Sequence, residues 1–147
     1  MSMKMKGQTL VFEQVLLFSL SVVILMTSFA LFMMYQNYYM SETSQDQISQ
    51  VKEYILSSII KLCEKDEFNS TVTLSIPRTI GNNFYRISLT NQGLNLTMVT
   101  GERLSDFSKL YGFNETFSFG GWVVSDIGKI VIYKKDMSVI LDRGMPL

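Results

Sequence analysis

Hydrophobic and polar positions divide the chain into three parts, and the first is an uninterrupted apolar run. From Val15 to Tyr35 there are 21 residues without a charge, Pro or Gly. A helix of that length, at about 1.5 Å per residue, spans the roughly 30 Å hydrocarbon core of a bilayer. The hydroxyl side chains within the run bond back to their own helix, so they do not prevent insertion. The run predicts a membrane-spanning helix, and a buried helix of a soluble protein is the alternative.

The second part, residues 41–65, has a helical period. Apolar residues recur at spacings of three and four: Ile48, Val51, Ile55, Ile59 and Leu62. This spacing is typical of one face of an amphipathic helix, and Cys63 beside it is expected to be a small buried residue. No Pro or Gly separates this part from the apolar run. The sequence therefore favours one long helix, with residues 37–41 as the place for a kink, and two helices joined by a short turn are the alternative.

The third part loses the helical period and alternates at every second residue. Strands are predicted at 71–77, 84–89, 94–99, 117–125, 129–133 and 138–141. Short polar segments at 90–93 and 134–137 predict two hairpins. Residues 104–110 fit either a short helical turn or a loop.

Within the strand predicted at 117–125, Gly120 and Gly121 indicate a bulge, and Trp122 beside them is expected to anchor the core. Six strands imply a small antiparallel sheet or sandwich, which buries little surface by itself. The amphipathic face is expected to cover it. The predicted fold class is α+β: a long N-terminal helix, transmembrane and then amphipathic, packed on a small β head.

Charge sets the expected orientation. Lys4 and Lys6 precede the apolar run, and the next Lys or Arg after it is Lys52. By the positive-inside bias, the N-terminus is expected in the cytoplasm and the β-domain outside, on a single-pass membrane protein. A cleaved secretory signal ending at Ser28-Phe29-Ala30 is the alternative, although the apolar run is longer than a typical signal core.

Three N-glycosylation sequons follow the apolar run and none precedes it. They begin at Asn69, Asn95 and Asn114. Their position on the predicted outer side favours an exported, glycosylated surface, and unused sequons are the alternative.

The composition excludes several function classes. Thirteen Lys and Arg balance thirteen Asp and Glu, so no net field attracts nucleic acid. The chain has no His and one Cys, which removes the usual general base, an intrachain disulfide and a Cys-rich metal site. Four carboxylates, at Asp66, Glu67, Asp106 and Asp126, are interpreted as solvated surface groups. We therefore expect no catalytic residue, cofactor or metal, and a membrane-tethered enzyme is the minor alternative.

Glu13 is the one acidic residue at the N-terminal end of the apolar run. A charge within a bilayer is costly and calls for a partner or for a place among the headgroups. If the basic leader is removed, the new α-amino group is a cation in an apolar setting. A carboxylate nearby, on the same chain or on a neighbouring subunit of a filament, neutralises it.

These features together resemble the type IV pilin-like superfamily. A short basic leader, Lys6-Gly7-Gln8, an acid at Glu13 and a hydrophobic helix before an exported β-domain are most similar to archaeal proteins with class III signal peptides. The segment 74–89 is similar to a strand-Pro-turn-strand pattern of archaeal pilin-like heads. The resemblance implies a leader at residues 1–7, cleaved between Gly7 and Gln8. Residues 8–36 would then form the membrane and filament-core helix, 37–67 the amphipathic helix, and 68–147 the outer β-domain.

Counted from Gln8, Glu13 is the sixth residue, whereas the family acid is usually the fifth, and cleavage after Gln8 restores that spacing. Leu10 also stands where the family often has Ser. The resemblance implies a major or minor subunit of a surface filament. Its partners would be lipid before assembly, copies of itself or related pilins, a prepilin peptidase, assembly machinery and a surface layer. The alternative is a membrane-anchored stator or envelope anchor of the archaellum accessory type, which never polymerises.

Overall fold

The computed structural model describes residues 3–101, 103–110 and 112–144, with side chains from Thr9 onward. Its elements are α1 (Met3–Glu64), β1 (Asn69–Ser75), β2 (Tyr85–Thr90), β3 (Gly93–Met98), β4 (Ser105–Ser108), β5 (Ser118–Gly120), β6 (Trp122–Val124), β7 (Lys129–Lys135) and β8 (Ser138–Arg143). Two short 3-10 turns lie at Phe113–Glu115 and Ser125–Ile127. The chain forms two compact units, Met1–Met40 and Ser41–Leu147.

The helix α1 runs through 62 residues as one element. This confirms the prediction of a single long helix over that of two helices joined by a turn. Its continuity follows from the sequence, which has no Pro in this range and a single Gly, Gly7, near the start.

The second unit, here called the head, contains two four-stranded sheets. The first has the strand order β1-β7-β8-β5 and the second the order β4-β3-β2-β6. All neighbouring strands are antiparallel except β5 and β8, which are parallel. Both predicted hairpins, β2–β3 and β7–β8, are confirmed, as is the α+β fold class.

One continuous hydrophobic core joins the helix to both sheets of the head. The buried helical residues are Ile48, Val51, Ile55, Ile59, Leu62 and Cys63. They pack in one cluster with strand residues such as Leu74, Ile87 and Ile132. The amphipathic face therefore covers the sheets, as the spacing of its apolar residues predicts.

The prediction of a single strand at 117–125 is wrong. The segment forms two strands, β5 and β6, which belong to different sheets, so Gly120 and Gly121 mark a crossing rather than a bulge. Gly121 has φ +113°, and a Cβ there would stand 2.1 Å from the carbonyl oxygen of Leu141. The amide of Leu89 donates to the carbonyl of Gly121 at 2.9 Å. Glycine is required because the backbones of both sheets approach each other closely at this point.

Two further predictions for the head were wrong. Residues 104–110 contain the strand β4, not a helical turn or a simple loop. Trp122 is not a core anchor, since its side chain is 64% exposed and Val123 points inward in its place. Both errors concern strands of the second sheet.

Candidate functional site

The largest chemically distinctive feature is the apolar part of α1, residues 9–40, here called the exposed segment. Every side chain in it is exposed except Val22, which is half-buried. Large hydrophobic residues such as Phe18, Leu25 and Met34 are 70% exposed or more. Apolar exposure of this extent is far above that of a soluble surface and marks a site of interaction with lipid or protein.

Hydrogen bonding within the exposed segment satisfies its hydroxyl groups. The Ser19 and Ser21 side chains donate to backbone carbonyls four residues earlier, each at 2.8 Å. Thr27 Oγ1 donates to the carbonyl of Val23. These bonds remove the cost of placing hydroxyls in hydrocarbon. Within the part of the chain that the structure describes, α1 alone is long and apolar enough to cross a membrane.

Three tyrosines follow at the C-terminal end of the apolar run. The rings of Tyr35 and Tyr39 have centroids 4.6 Å apart, and their hydroxyls lie within 2.9 Å. Tyr38 meets Tyr39 edge-on at 6.2 Å. Amphipathic aromatic rings favour the boundary between hydrocarbon and water. Sequence reasoning missed this cluster, although the Tyr-x-x-Tyr-Tyr spacing at the end of an apolar run was the signal for it.

The predicted processing and pairing residues lie near the start of α1. Gly7 and Gln8 have helical backbone, and the structure does not describe the Gln8 side chain. Glu13 is exposed and makes no ion pair with any side chain that the structure describes. Its carboxylate is therefore available for a partner supplied by processing or by a neighbouring chain. Leader cleavage and charge pairing remain predictions.

Lys52 and Asp106 form a largely buried ion pair in the head, which sequence reasoning missed. Lys52 Nζ lies 2.8 Å from Oδ2 of Asp106, and the two side chains are 10% and 20% exposed. This pair ties the helix to the edge strand β4 of the second sheet. Asp106 is thus not a solvated surface group, in contrast to Asp66 and Glu67, which are exposed. Asp126 is half-buried and pairs with Arg143.

A lysine from β7 caps the C-terminal end of α1. The buried Lys134 donates from Nζ to the carbonyl oxygens of Cys63, at 3.3 Å, and Lys65. A cation at this end of a helix satisfies free carbonyls and complements the helix dipole. Burial raises the pKa of the neighbouring Cys63 thiol, with Lys134 acting in the opposite direction. Burial likewise raises the pKa of the Tyr85 phenol.

The three sequon residues lie in different settings on the head. Asn69 is exposed at the start of β1, Asn95 is half-buried in β3, and Asn114 is exposed in a 3-10 turn. Glycosylation at these positions stays a prediction. Among the described residues, no group of three His, Cys, Asp or Glu side chains is placed to hold a metal ion.

Comparisons with known proteins add no family to this description. No protein-family model, no curated protein and no solved structure matches the chain. The architecture alone, a long N-terminal apolar helix followed by a small β-sheet head, is pilin-like.

Proposed function

We propose that this protein is a structural subunit, major or minor, of an archaeal type IV pilus-like surface filament, processed by a prepilin peptidase. The observation that carries the proposal is the exposed segment. It holds a long apolar surface on the same helix whose continuation is buried in a compact head. Such a segment is stable in a bilayer and equally stable in a bundle of similar helices, because both surroundings are apolar.

The proposal assigns the two units of the chain separate roles. The exposed segment anchors the subunit in the membrane and later contributes to the filament core. The head is outside the cell and forms the filament surface. Glu13, exposed and without an ion-pair partner among the described side chains, neutralises the new N-terminus of its own or a neighbouring subunit.

The decisive experiment has two measurements on native cells. Mass spectrometry of the mature chain should find residues 1–7 removed, and electron microscopy should show surface filaments that disappear when the chain is deleted. Retention of Met1 in the mature protein would contradict processing. Unchanged filaments in the deletion strain would contradict a major-subunit role.

A Glu13→Gln variant tests the pairing role. Glutamine keeps the size and polarity of the side chain but removes its charge, so membrane insertion should persist while incorporation into filaments falls. The control is Glu42→Gln, an exposed acid on the same helix within the head. Equal incorporation of the Glu13 and Glu42 variants would remove the pairing role.

A second candidate is a non-polymerising stator or envelope anchor of the archaellum accessory type. The observation that favours it is the position of Glu13, one residue beyond the usual spacing from the predicted cleavage site. In this function the exposed segment stays in lipid and the head binds a partner outside. An intact leader together with a stable membrane-bound pool would support it over the filament subunit.

A further inference from the structure

The strand β1 is the longest edge strand of the head. It borders the first sheet and has seven residues, whereas the other edge strands, β4, β5 and β6, have three or four. Proteins protect the edges of their sheets with short strands, Pro, Lys or an inward-pointing charge. The sequence of β1, NSTVTLS, has none of these, while β4 carries the inward Asp106. Among the edges that the structure describes, β1 is therefore the best suited to pair with another strand.

The backbone of β1 shows which of its groups lack a partner. The carbonyl of Phe68 accepts from Asp136, and the amide of Ile76 donates to Gly128, so the even-numbered residues direct these groups toward β7. In an antiparallel ladder the direction alternates from one residue to the next. Four residues of β1 therefore have outward amides and carbonyls without a backbone partner among the described residues: Asn69, Thr71, Thr73 and Ser75.

The side chain of Val72 shows that this edge is open. Val72 faces the core but is only half-buried, whereas Ile132 directly opposite it on β7 is fully buried. Side chains directly opposite each other on adjacent strands lie about 5 Å apart. A further strand at this edge would therefore cover the exposed part of Val72.

The sequence of β1 is complementary to a second copy of itself. When two antiparallel copies are centred on Val72, Thr71 of each copy lies opposite Thr73 of the other, and Asn69 lies opposite Ser75. All four residues have outward backbone groups, so each of these groups obtains a partner. Centring the pair on Thr71 or on Thr73 would leave one of the four residues outside the ladder. Opposed threonine side chains also stabilise antiparallel strands.

The same register brings opposite charges together at both ends of the paired strands. Asp66 lies three residues before β1 and Arg78 three residues after it, so Asp66 of one copy comes opposite Arg78 of the other. Both side chains are exposed, and neither has an ion pair with a side chain that the structure describes. Since the backbone bonds alone define the register, this charge complementarity supports it independently.

We propose that two copies of this protein pair through β1, antiparallel and centred on Val72. The pairing joins two four-stranded sheets into one continuous sheet, satisfies the outward backbone groups of both edges and covers both Val72 side chains. It goes beyond the proposed function, since it requires neither leader cleavage nor a filament. The contact also lies in the head and not in the exposed segment.

Disulfide trapping tests the register. The full chain is produced in a host that does not glycosylate sequons and is purified in detergent, with Cys63→Ala to remove its only thiol. Val72→Cys should form a linked dimer on mild oxidation, because a non-hydrogen-bonded pair has Cα atoms about 4.5 Å apart, within disulfide range. Thr73→Cys is the matched control and should not, because its two copies lie on a diagonal of about 7–8 Å. A mixture of Thr71→Cys and Thr73→Cys chains should cross-link.

A proline at the outward edge tests the hydrogen bonds. Thr73→Pro removes an amide that points away from β7, so the head keeps its own ladder. Sedimentation equilibrium in detergent should show a dimer dissociation constant about 10- to 100-fold above that of the wild type, because two bonds are lost across the two-fold axis. Thr73→Val keeps the amide and the branched shape, and its dissociation constant should stay close to that of the wild type. Urea unfolding of both variants checks that the head is intact.

Three results would overturn the inference. Val72→Cys chains that do not cross-link exclude the pairing, and Thr73→Cys chains that cross-link as efficiently exclude the register. A dimer that Thr73→Pro does not weaken is held by the exposed segment and not by β1.

Discussion

Ile24 and Ile55 belong to the same helix and have the same side chain, yet their surroundings differ completely. Ile24 is 56% exposed and Ile55 is fully buried among the strands of the head. The sequence around each explains the difference. Polar residues such as Glu53 and Ser58 surround Ile55 on the other faces of the helix, whereas no charged residue stands between Glu13 and Glu42 around Ile24.

This comparison shows where the atoms that bury the apolar side chains of each half of α1 come from. The head half has a single apolar stripe, and two sheets of the same chain cover it. The exposed segment has no charged residue between Gln14 and Met40, and every side chain in it is exposed in the described structure except the half-buried Val22. Its burial must therefore come from lipid or from other chains.

A matched pair of alanine substitutions tests the comparison most strongly. Ile55→Ala should lower the free energy of unfolding of the head by about 4 kcal/mol, since fully buried large-to-small changes cost about 2–5 kcal/mol. Ile24→Ala should leave it unchanged. Urea unfolding of the full chain in detergent, followed by near-UV circular dichroism, measures both. A similar loss for the two variants would mean that the exposed segment packs against the head in solution.

A charged residue at the centre of the exposed segment tests whether the N-terminal half of α1 spans a membrane. Leu25→Arg should disfavour membrane insertion by about 3 kcal/mol, because arginine at the middle of a spanning helix costs about 2.5–3.5 kcal/mol. The measurement is the fraction of protein that resists carbonate extraction from membranes, with Leu25→Val as the control. Unchanged membrane retention of the arginine variant would contradict a spanning helix.

The ion pair between Lys52 and Asp106 is expected to contribute less to the stability of the head than the burial of Ile55. Lys52→Met should lower the free energy of unfolding by about 2–3 kcal/mol. This is somewhat less than the 3–5 kcal/mol that a fully buried pair costs, because Asp106 is one-fifth exposed. The double variant Lys52→Met with Asp106→Leu should recover most of the loss, since no unpaired charge remains. Failure of the double variant to recover would mean that the pair also fixes the position of β4.

The smallest expected effect concerns Cys63. Burial raises the pKa of its thiol, so the folded head keeps the thiol protonated at a pH where the unfolded chain has begun to ionise. The stability contribution of this group therefore falls as the pH rises above the ordinary thiol pKa. Alkylation by iodoacetamide should be slower in the folded protein than in urea across pH 7–9. Equal rates would place the thiol at the surface.

Much of the fold followed from periodicity because most of its elements bury one clear face. The spacing of Ile48 to Leu62 predicted both the helix and the side that covers the sheets. The strands predicted from the sequence lie within two residues of β1, β2, β3, β7 and β8 at each end. Apart from Lys134 at the end of β7, the buried side chains of these strands are apolar, so the pattern in the sequence and the burial in the structure coincide.

The errors occurred where a polar residue occupies an inward position or a short strand changes sheet. In β4 the inward residue is Asp106, which hides the alternation. Lys52 lies four residues after Ile48 and three before Ile55, so its place on the buried face was present in the spacing, but its charge suggested solvent. Trp122, expected as a core anchor beside Gly121, alternates with Val123, and Val123 is the residue that faces the core.

The candidate site was only partly accessible to sequence reasoning. The apolar run was evident from Val15 to Tyr35, and Glu13 was evident as its one acid. The ion pair of Lys52 and Asp106 was not, because its members come from a helix and a strand whose contact no local pattern specifies.

The packing of the helical residues from Ile48 to Leu62 along the sheets of the head has a mechanical consequence. A force along the axis of this part of the helix acts parallel to the contact surface. The buried side chains must then slide past the strands together, so the force is shared in shear among all of them.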